Sequence, residues 1–353
     1  MQERAEKQLY RNRQAFLDVL RVAATCAVVM MHTISGVLDH YDMTGYGRRQ
    51  QAFLALIDLS AWCVPVFLMI SGYLFLNPER KITWKEMLGK YVRRVLLALI
   101  VFGIPYSLME LVVAEHGFGA ELILKAVWNT AIGRSWAHMW YLYLILGLYL
   151  ITPVLKWLLE RIPVLVLYFI LGILLIGCSL VPFLSACIHA AWFRMPEEGI
   201  YLFYYLCGYL FVLKKDDRKI PGVWELSVCA GIMAAQIASR FAEGYHVRMA
   251  YAYPPTVLLS LLMFAGAKRV FLPFGEKKQP SAVKTLERLS ELCFGIYLIH
   301  PVFLNFFYKF LGISLMDFRV WTGVPLFFGI SLAGAAAGTW ILRKIPVFRK
   351  YVL

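Results

Sequence analysis

Apolar residues in this chain neither alternate nor keep to one helical stripe; they run on. Ten apolar segments follow one another, roughly 14–35, 52–77, 91–114, 138–158, 163–183, 198–213, 222–241, 249–271, 289–312 and 320–343. All but the sixth reach the ~20 residues an α-helix needs to cross about 30 Å of hydrocarbon. Only helices and closed barrels satisfy their backbone inside lipid. The pattern therefore predicts an all-α, polytopic membrane helical bundle of about ten transmembrane helices. The sixth segment is short. A moderately apolar stretch, 117–137, separates the third and fourth and reads as an interfacial helix.

The polar segments between them are short, and the longest, about 271–288, is a loop rather than a domain. The chain thus divides into an N-terminal segment 1–13, one transmembrane domain 14–343 and a tail 344–353. With the N-terminus inside, about three quarters of the 36 Lys and Arg face the cytoplasm, the bias expected of inner loops. Arg240 and Arg319 fall in the minority counted outside. Both termini are then cytoplasmic, residues 40 and 190 lie outside, and residues 216 and 280 lie inside.

Composition agrees. Charged residues make up 16% of the chain and hydrophobic ones 60%, where a soluble protein has about 25% charged; mean hydropathy is +0.64. In a soluble protein the net charge of +14 would point to nucleic acid. Here the inner-loop bias accounts for it, so lipids and not nucleic acids are the expected contacts. Residues 1–13 lack the small-residue cleavage site of a signal peptide, and the first span is expected to stay. The seven Cys lie mostly in apolar segments with no Cys-x-x-Cys, indicating neither a metal nor a disulfide framework. No internal repeat is visible, which weakens a repeat-built transporter fold.

Against this background the polar residues inside the spans stand out. The first span holds Asp18, Arg21 and His32. Arg21 and His32 are eleven residues apart, about 20° past three full turns, so they share a face ~16 Å apart along the axis. Such a face is costly unless it lines a protein interior or a wet cavity. One reading pairs Asp18 with Arg21 at the inner headgroups and leaves His32 as an interfacial cap. The other makes His32 a general base and Arg21 an anion-binding or orienting group. In the second span Pro65 marks a kink, and Ser71-Gly72 is either a close-packing site or a polar functional group. Lys90, Arg93 and Arg94 at the mouth of the third span either anchor to lipid headgroups or cradle a phosphate-bearing donor. His138 opens the fourth span among aromatic residues. In the ninth, His300 sits one turn above Tyr297, either satisfied by a backbone carbonyl or acting in the reaction.

Together these stretches resemble acyltransferase family 3, the bacterial integral-membrane O-acyltransferases. The family's hallmark is an Arg and a His separated by ten residues on the first span, matched by Arg21 and His32. The Val-Pro-Val-Phe-Leu-Met-Ile-Ser-Gly-Tyr stretch of 64–73, His-Met-Trp-Tyr-Leu of 138–142 and Tyr-Leu-Ile-His-Pro of 297–301 resemble its other signatures. The likeness covers most of the chain. One departure is a basic pair that the family spaces Arg-x-x-Arg and that reads Lys90-Tyr-Val-Arg93 here.

The resemblance implies a plasma-membrane enzyme with no permanently bound cofactor. It would move an acyl group, usually acetyl, from cytoplasmic acyl-CoA to a hydroxyl of a cell-surface glycan or lipid-linked sugar. His32 and Arg21 would be catalytic, with Asp18, Ser71, His138, Tyr297 and His300 supporting and Lys90, Arg93 and Arg94 holding the donor. Some members carry a fused extracytoplasmic domain. None follows here, so direct delivery or a separate extracytoplasmic partner is expected. The rival expectation is a permease of the same family, for a serine-like amino acid or a lipid-linked saccharide.

Overall fold

The computed structural model describes residues 2–40, 47–188, 195–196, 198–213, 222–242, 251–271 and 281–353, and all regular structure among them is helical. The helices are α1 (Gln2–His40), α2 (Gly47–Ser60), α3 (Cys63–Phe75), α4 (Trp84–Glu115), α5 (Ala120–Ala131), α6 (Trp140–Leu159), α7 (Val164–Cys187), α8 (Gly199–Leu213), α9 (Gly222–Phe241), α10 (Pro254–Phe271), α11 (Ser281–Asn305) and α12 (Val320–Leu342). Among the described residues eight helical stretches are long and apolar enough to cross a membrane. Two of the ten predicted segments fall outside that set. One is α8, whose 15 residues rise only about 22 Å; the other is α10. The stretch between the third and fourth segments does contain a helix, α5.

Helix α1 is the axis of the bundle. It packs against α2, α3, α10, α11 and α12. One end of the bundle carries Asp18, Glu291, Arg94, Arg343 and the last turn, Phe348–Val352. It is called the basic end below. The opposite end carries His32, the start of α2 and the 312–319 connection.

Sequence explains several joints. Pro65 has no N–H to offer the Ala61 carbonyl, and the chain turns at Ala61–Trp62, dividing one long span into α2 and α3. Helices α3 and α8 lie close because each gives up a side chain at the crossing. A Cβ on Gly72 would sit 1.8 Å from the Tyr205 carbonyl oxygen, and one on Gly208 would sit 2.2 Å from that of Met69. Gly72 is thus the close-packing element of the Ser-Gly pair. Lys156 on α6 donates its ammonium to the carbonyls of Asn77 and Arg80, pinning the connection after α3.

The charge count needs one correction. Arg240, assigned above to an outer loop, lies inside the bundle. Its Nε meets Asp58 Oδ2 at 2.5 Å, with the two side chains 6% and 3% exposed. The ion pair ties α9 to α2, and the arginine is held inside because an unpaired Asp58 would be buried at high cost. Positions 190, 216 and 280 lie outside the described residues.

Candidate active site: a histidine cluster

Three histidines from three helical segments meet at one end of α1. His32 comes from α1, His138 from a one-turn 3-10 helix, Ala137–Met139, that leads into α6, and His300 from α11. Ring centroids are 5.0 Å apart for His32 and His300, 6.0 Å for His32 and His138, and 5.7 Å for His138 and His300. His300 is fully buried and His138 is 3% exposed.

Hydrogen bonding assigns the protons. His300 Nδ1 lies 3.0 Å from the Ile296 carbonyl oxygen and 2.8 Å from that of Tyr297. Carbonyls only accept, so Nδ1 of the neutral ring carries the hydrogen and Nε2 the lone pair. That Nε2 faces His32 Nδ1 at 3.2 Å, and His32 Nδ1 is also 2.9 Å from the Val28 carbonyl oxygen. Both neighbours are acceptors, so His32 Nδ1 is the protonated nitrogen. The basic lone pair of His32 is therefore on Nε2. His300 is satisfied by carbonyls, as the first sequence reading expects, and is also bonded to His32.

The cluster is held from behind. Tyr297 donates its hydroxyl to the His138 carbonyl at 2.5 Å, and Tyr106 on α4 donates to the Leu298 carbonyl at 2.7 Å. The Tyr106 ring lies flat on Trp136, with centroids 4.1 Å apart and planes 4° apart. Tyr297 thus spends its proton on positioning His138. His138 Nε2 is buried and has no hydrogen-bond partner in the described structure. A buried polar atom left in this way calls for an explanation.

Toward the basic end the polar residues continue. Tyr141 on α6 faces Tyr297 with ring centroids 6.0 Å apart. The Ser71 hydroxyl interacts with both Tyr141 and Tyr149. Tyr149 lies within electrostatic range of Arg21 and Arg94. Arg21 bonds Asp18 at 2.9 Å, and Ser290 on α11 donates to the same Asp18 oxygen at 2.6 Å. Arg21 and His32 both have neighbours on α11 and on or just before α6.

Lys90, Arg93 and Arg94 stand exposed at the basic end. The Lys90 ammonium lies 5.1 Å from the Tyr91 ring centre, and the Arg93 guanidinium is the same distance from that of Tyr351. Arg94 lies 5.0 Å from the Phe294 ring centre and donates to the Val352 carbonyl at 3.2 Å. The stretch Met87–Val92, which includes Lys90 and leads into Arg93, is a π-helical turn, a departure that recurs at functional sites. Among the described residues no group of three His, Cys, Asp or Glu is arranged to hold a metal.

Sequence reading missed Tyr106, Tyr149 and Ser290, because a hydroxyl in an aromatic-rich span leaves no periodic mark. It also passed over Asp58, although an acid inside an apolar run is itself a signal.

Comparison with known proteins places these residues in context. Residues 14–344 match a family model described as an acyltransferase domain. A protein of Staphylococcus aureus (strain MSSA476) named probable poly-beta-1,6-N-acetyl-D-glucosamine export protein is 23% identical over 352 residues, covering 94% of each chain. Its counterpart in strain N315 has the same identity and coverage. No solved structure matches.

Proposed function

We propose, from the premise that this chain belongs to the acyltransferase family whose model spans 14–344, that it is a plasma-membrane O-acyltransferase. It takes an acyl group, acetyl in the simplest case, from cytoplasmic acyl-CoA. It delivers the group to a hydroxyl of a cell-surface glycan or its lipid-linked precursor. The printed name of the S. aureus relatives, a poly-beta-1,6-N-acetyl-D-glucosamine export protein, makes an N-acetylglucosamine polymer the first acceptor to try. The observation that carries the reading is the hydrogen bond from His32 Nδ1 to His300 Nε2, which leaves the His32 lone pair on the other nitrogen.

The chemistry divides along α1. A thioester needs no activation, whereas a sugar hydroxyl ionises far above neutral pH. His32 Nε2 takes the hydroxyl proton as the oxygen attacks the thioester carbonyl; the C–S bond then breaks and CoA leaves as the thiol with that proton. General-base assistance of this kind is worth ~10²–10⁴-fold. His300 and the Val28 carbonyl hold the ring. His138, whose ring centroid lies 6.0 Å from that of His32, orients the acceptor. At the other end Lys90, Arg93 and Arg94 grip the donor's phosphates, and Arg21 steadies the arm, which reaches ~16 Å along the helix to His32. Asp18 and Ser290 fix Arg21. Ser71, Tyr141 and Tyr149 line the way.

A second reading, export of an unmodified saccharide, draws on the relatives' printed name. Purified protein in liposomes, with labelled acetyl-CoA inside and N-acetylglucosamine oligosaccharide outside, separates the two. Label appearing on the oligosaccharide supports the enzyme. Movement of saccharide across the bilayer with no acyl donor present, and no label transferred, overturns it.

A further inference from the structure

One cleft lies beyond the histidine cluster and plays no part in the mechanism above. It is about 540 Å³ and is lined by Arg49, Met316, Asp317, Phe318, Arg319, Val320 and Trp321, a size within the ~300–1,000 Å³ of ordinary ligand sites. It sits at the histidine end. The buried Leu315 beneath it shares an apolar cluster with Ile34, Val37 and Leu304, which follow His32 and His300 along their helices by two to five residues. The cleft and the two rings thus lie at the same end of the bundle, with that apolar cluster on both helices.

The walls are rigid. Arg49 on α2 sends one nitrogen to three carbonyls, those of Leu315, Met316 and Phe318, at 3.1, 3.0 and 2.6 Å. Its Nε is buried with no hydrogen-bond partner in the described structure. Ser314 and Asp317 close a capping box, in which Asp317 Oδ2 accepts from the Ser314 N–H at 2.7 Å. A connection tied at both ends loses little freedom when a ligand arrives. Trp321, at the start of α12, presents an indole that is 83% exposed, with Asp317 and Arg319 exposed beside it.

We infer that this cleft is a docking subsite for a sugar unit of a neutral glycan chain, distal to the unit being acylated. The inference rests on the glycan acceptor proposed above. A pyranose ring has an apolar face of C–H groups, which packs flat on an indole, and an edge of hydroxyls. Asp317 accepts from those hydroxyls and Arg319 donates to them. An exposed Trp at a bilayer edge often serves only as an anchor among lipid headgroups. Here it stands over an open cleft with a carboxylate and a guanidinium on a pinned connection, the mix of one apolar platform and a few fixed polar groups that ligand sites show. The cleft gives the enzyme a grip on polymer beyond the reacting sugar, so long acceptors would be preferred to short ones.

The test uses the full chain in lipid nanodiscs and a fluorescent β-1,6-linked N-acetylglucosamine hexasaccharide, read by anisotropy with no acyl donor present. Wild type should bind. Trp321→Ala should weaken binding about tenfold, the effect of losing one good aromatic contact of ~1.4 kcal/mol. Asp317→Asn should weaken it less. Trp340→Ala, which removes an exposed indole at the other end of α12, should change nothing. In transfer assays Trp321→Ala should raise KM for the hexasaccharide and leave kcat, and transfer to N-acetylglucosamine itself, unchanged. Hexasaccharide binding that needs Trp321 but is never followed by transfer would support the subsite and remove the acyltransferase reading. Absence of hexasaccharide binding to wild type, or equal binding by wild type and Trp321→Ala, overturns the subsite and assigns the indole to lipid.

Discussion

His32 is one imidazole among seven histidines, and its role turns on which nitrogen carries the proton. Its Nδ1 is held by His300 Nε2 and the Val28 carbonyl, so catalysis would act through Nε2. His32→Ala should reduce transfer in reconstituted vesicles by ~10²–10⁴-fold while expression and thermal unfolding stay near wild type. The wild-type rate should fall on the acid side, because a protonated ring has no lone pair to offer. Near-normal transfer by His32→Ala would remove the general-base role. Arg21 makes a different demand. Arg21→Lys keeps a cation beside Asp18 but loses the planar fork, so donor KM should rise and activity return only in part relative to Arg21→Ala. Full wild-type activity of Arg21→Lys would show that the fork does not matter. These two residues were legible because charge and imidazole are rare inside a span. Their partners were not: the bonds from Ser290 to Asp18 and from Tyr297 to the His138 carbonyl join helices whose pairing no local pattern encodes.

Helices were legible in place and approximate in length, since hydropathy marks where a span runs and not where it bends. The division of α2 from α3 follows from Pro65, a readable cause. The contact of α3 with α8 does not, because a glycine pair 136 positions apart in the chain announces no partner. With its Cβ 1.8 Å from the Tyr205 carbonyl oxygen, Gly72→Ala forces two backbones apart. Overpacking of this kind costs about 1–3 kcal/mol, and the variant should unfold several degrees lower in a thermal-shift assay. An unchanged midpoint would mean that the helices are not in contact there. The Asp58–Arg240 pair between α2 and α9 makes the complementary case. Asp58→Asn leaves a buried guanidinium without its counter-charge, at a cost of about 3–5 kcal/mol. Asp58→Leu combined with Arg240→Leu should recover much of the lost folded protein, because two apolar side chains carry no desolvation cost. A double variant worse than either single one would contradict a purely structural role.

The molecule as a whole has two chemically distinct ends joined by one central helix, and charge along the sequence predicts which faces the cytoplasm. The basic end should be inside. Single-cysteine labelling in a cysteine-free background should modify position 40 and position 190 from outside and positions 216 and 280 only after permeabilisation. Labelling of 216 and 280 from outside would invert the orientation, and the donor could not then reach Arg94. The burial of Arg240 shows the limit of such counting: a tally of charges assumes each one is in water, and a paired charge inside the bundle belongs to neither side.

Between the two ends several of the hydroxyls finish on backbone carbonyls. Tyr297 ends on the His138 carbonyl, Tyr106 on that of Leu298 and Tyr143 on that of Thr130. A carbonyl oxygen has no hydrogen to hand on, so each of these bonds is a dead end for a hopping proton. A membrane that holds a voltage cannot tolerate a path for protons. A polar interior built with such stops would let the acyl transfer proposed above proceed without also becoming a leak in the cell's battery.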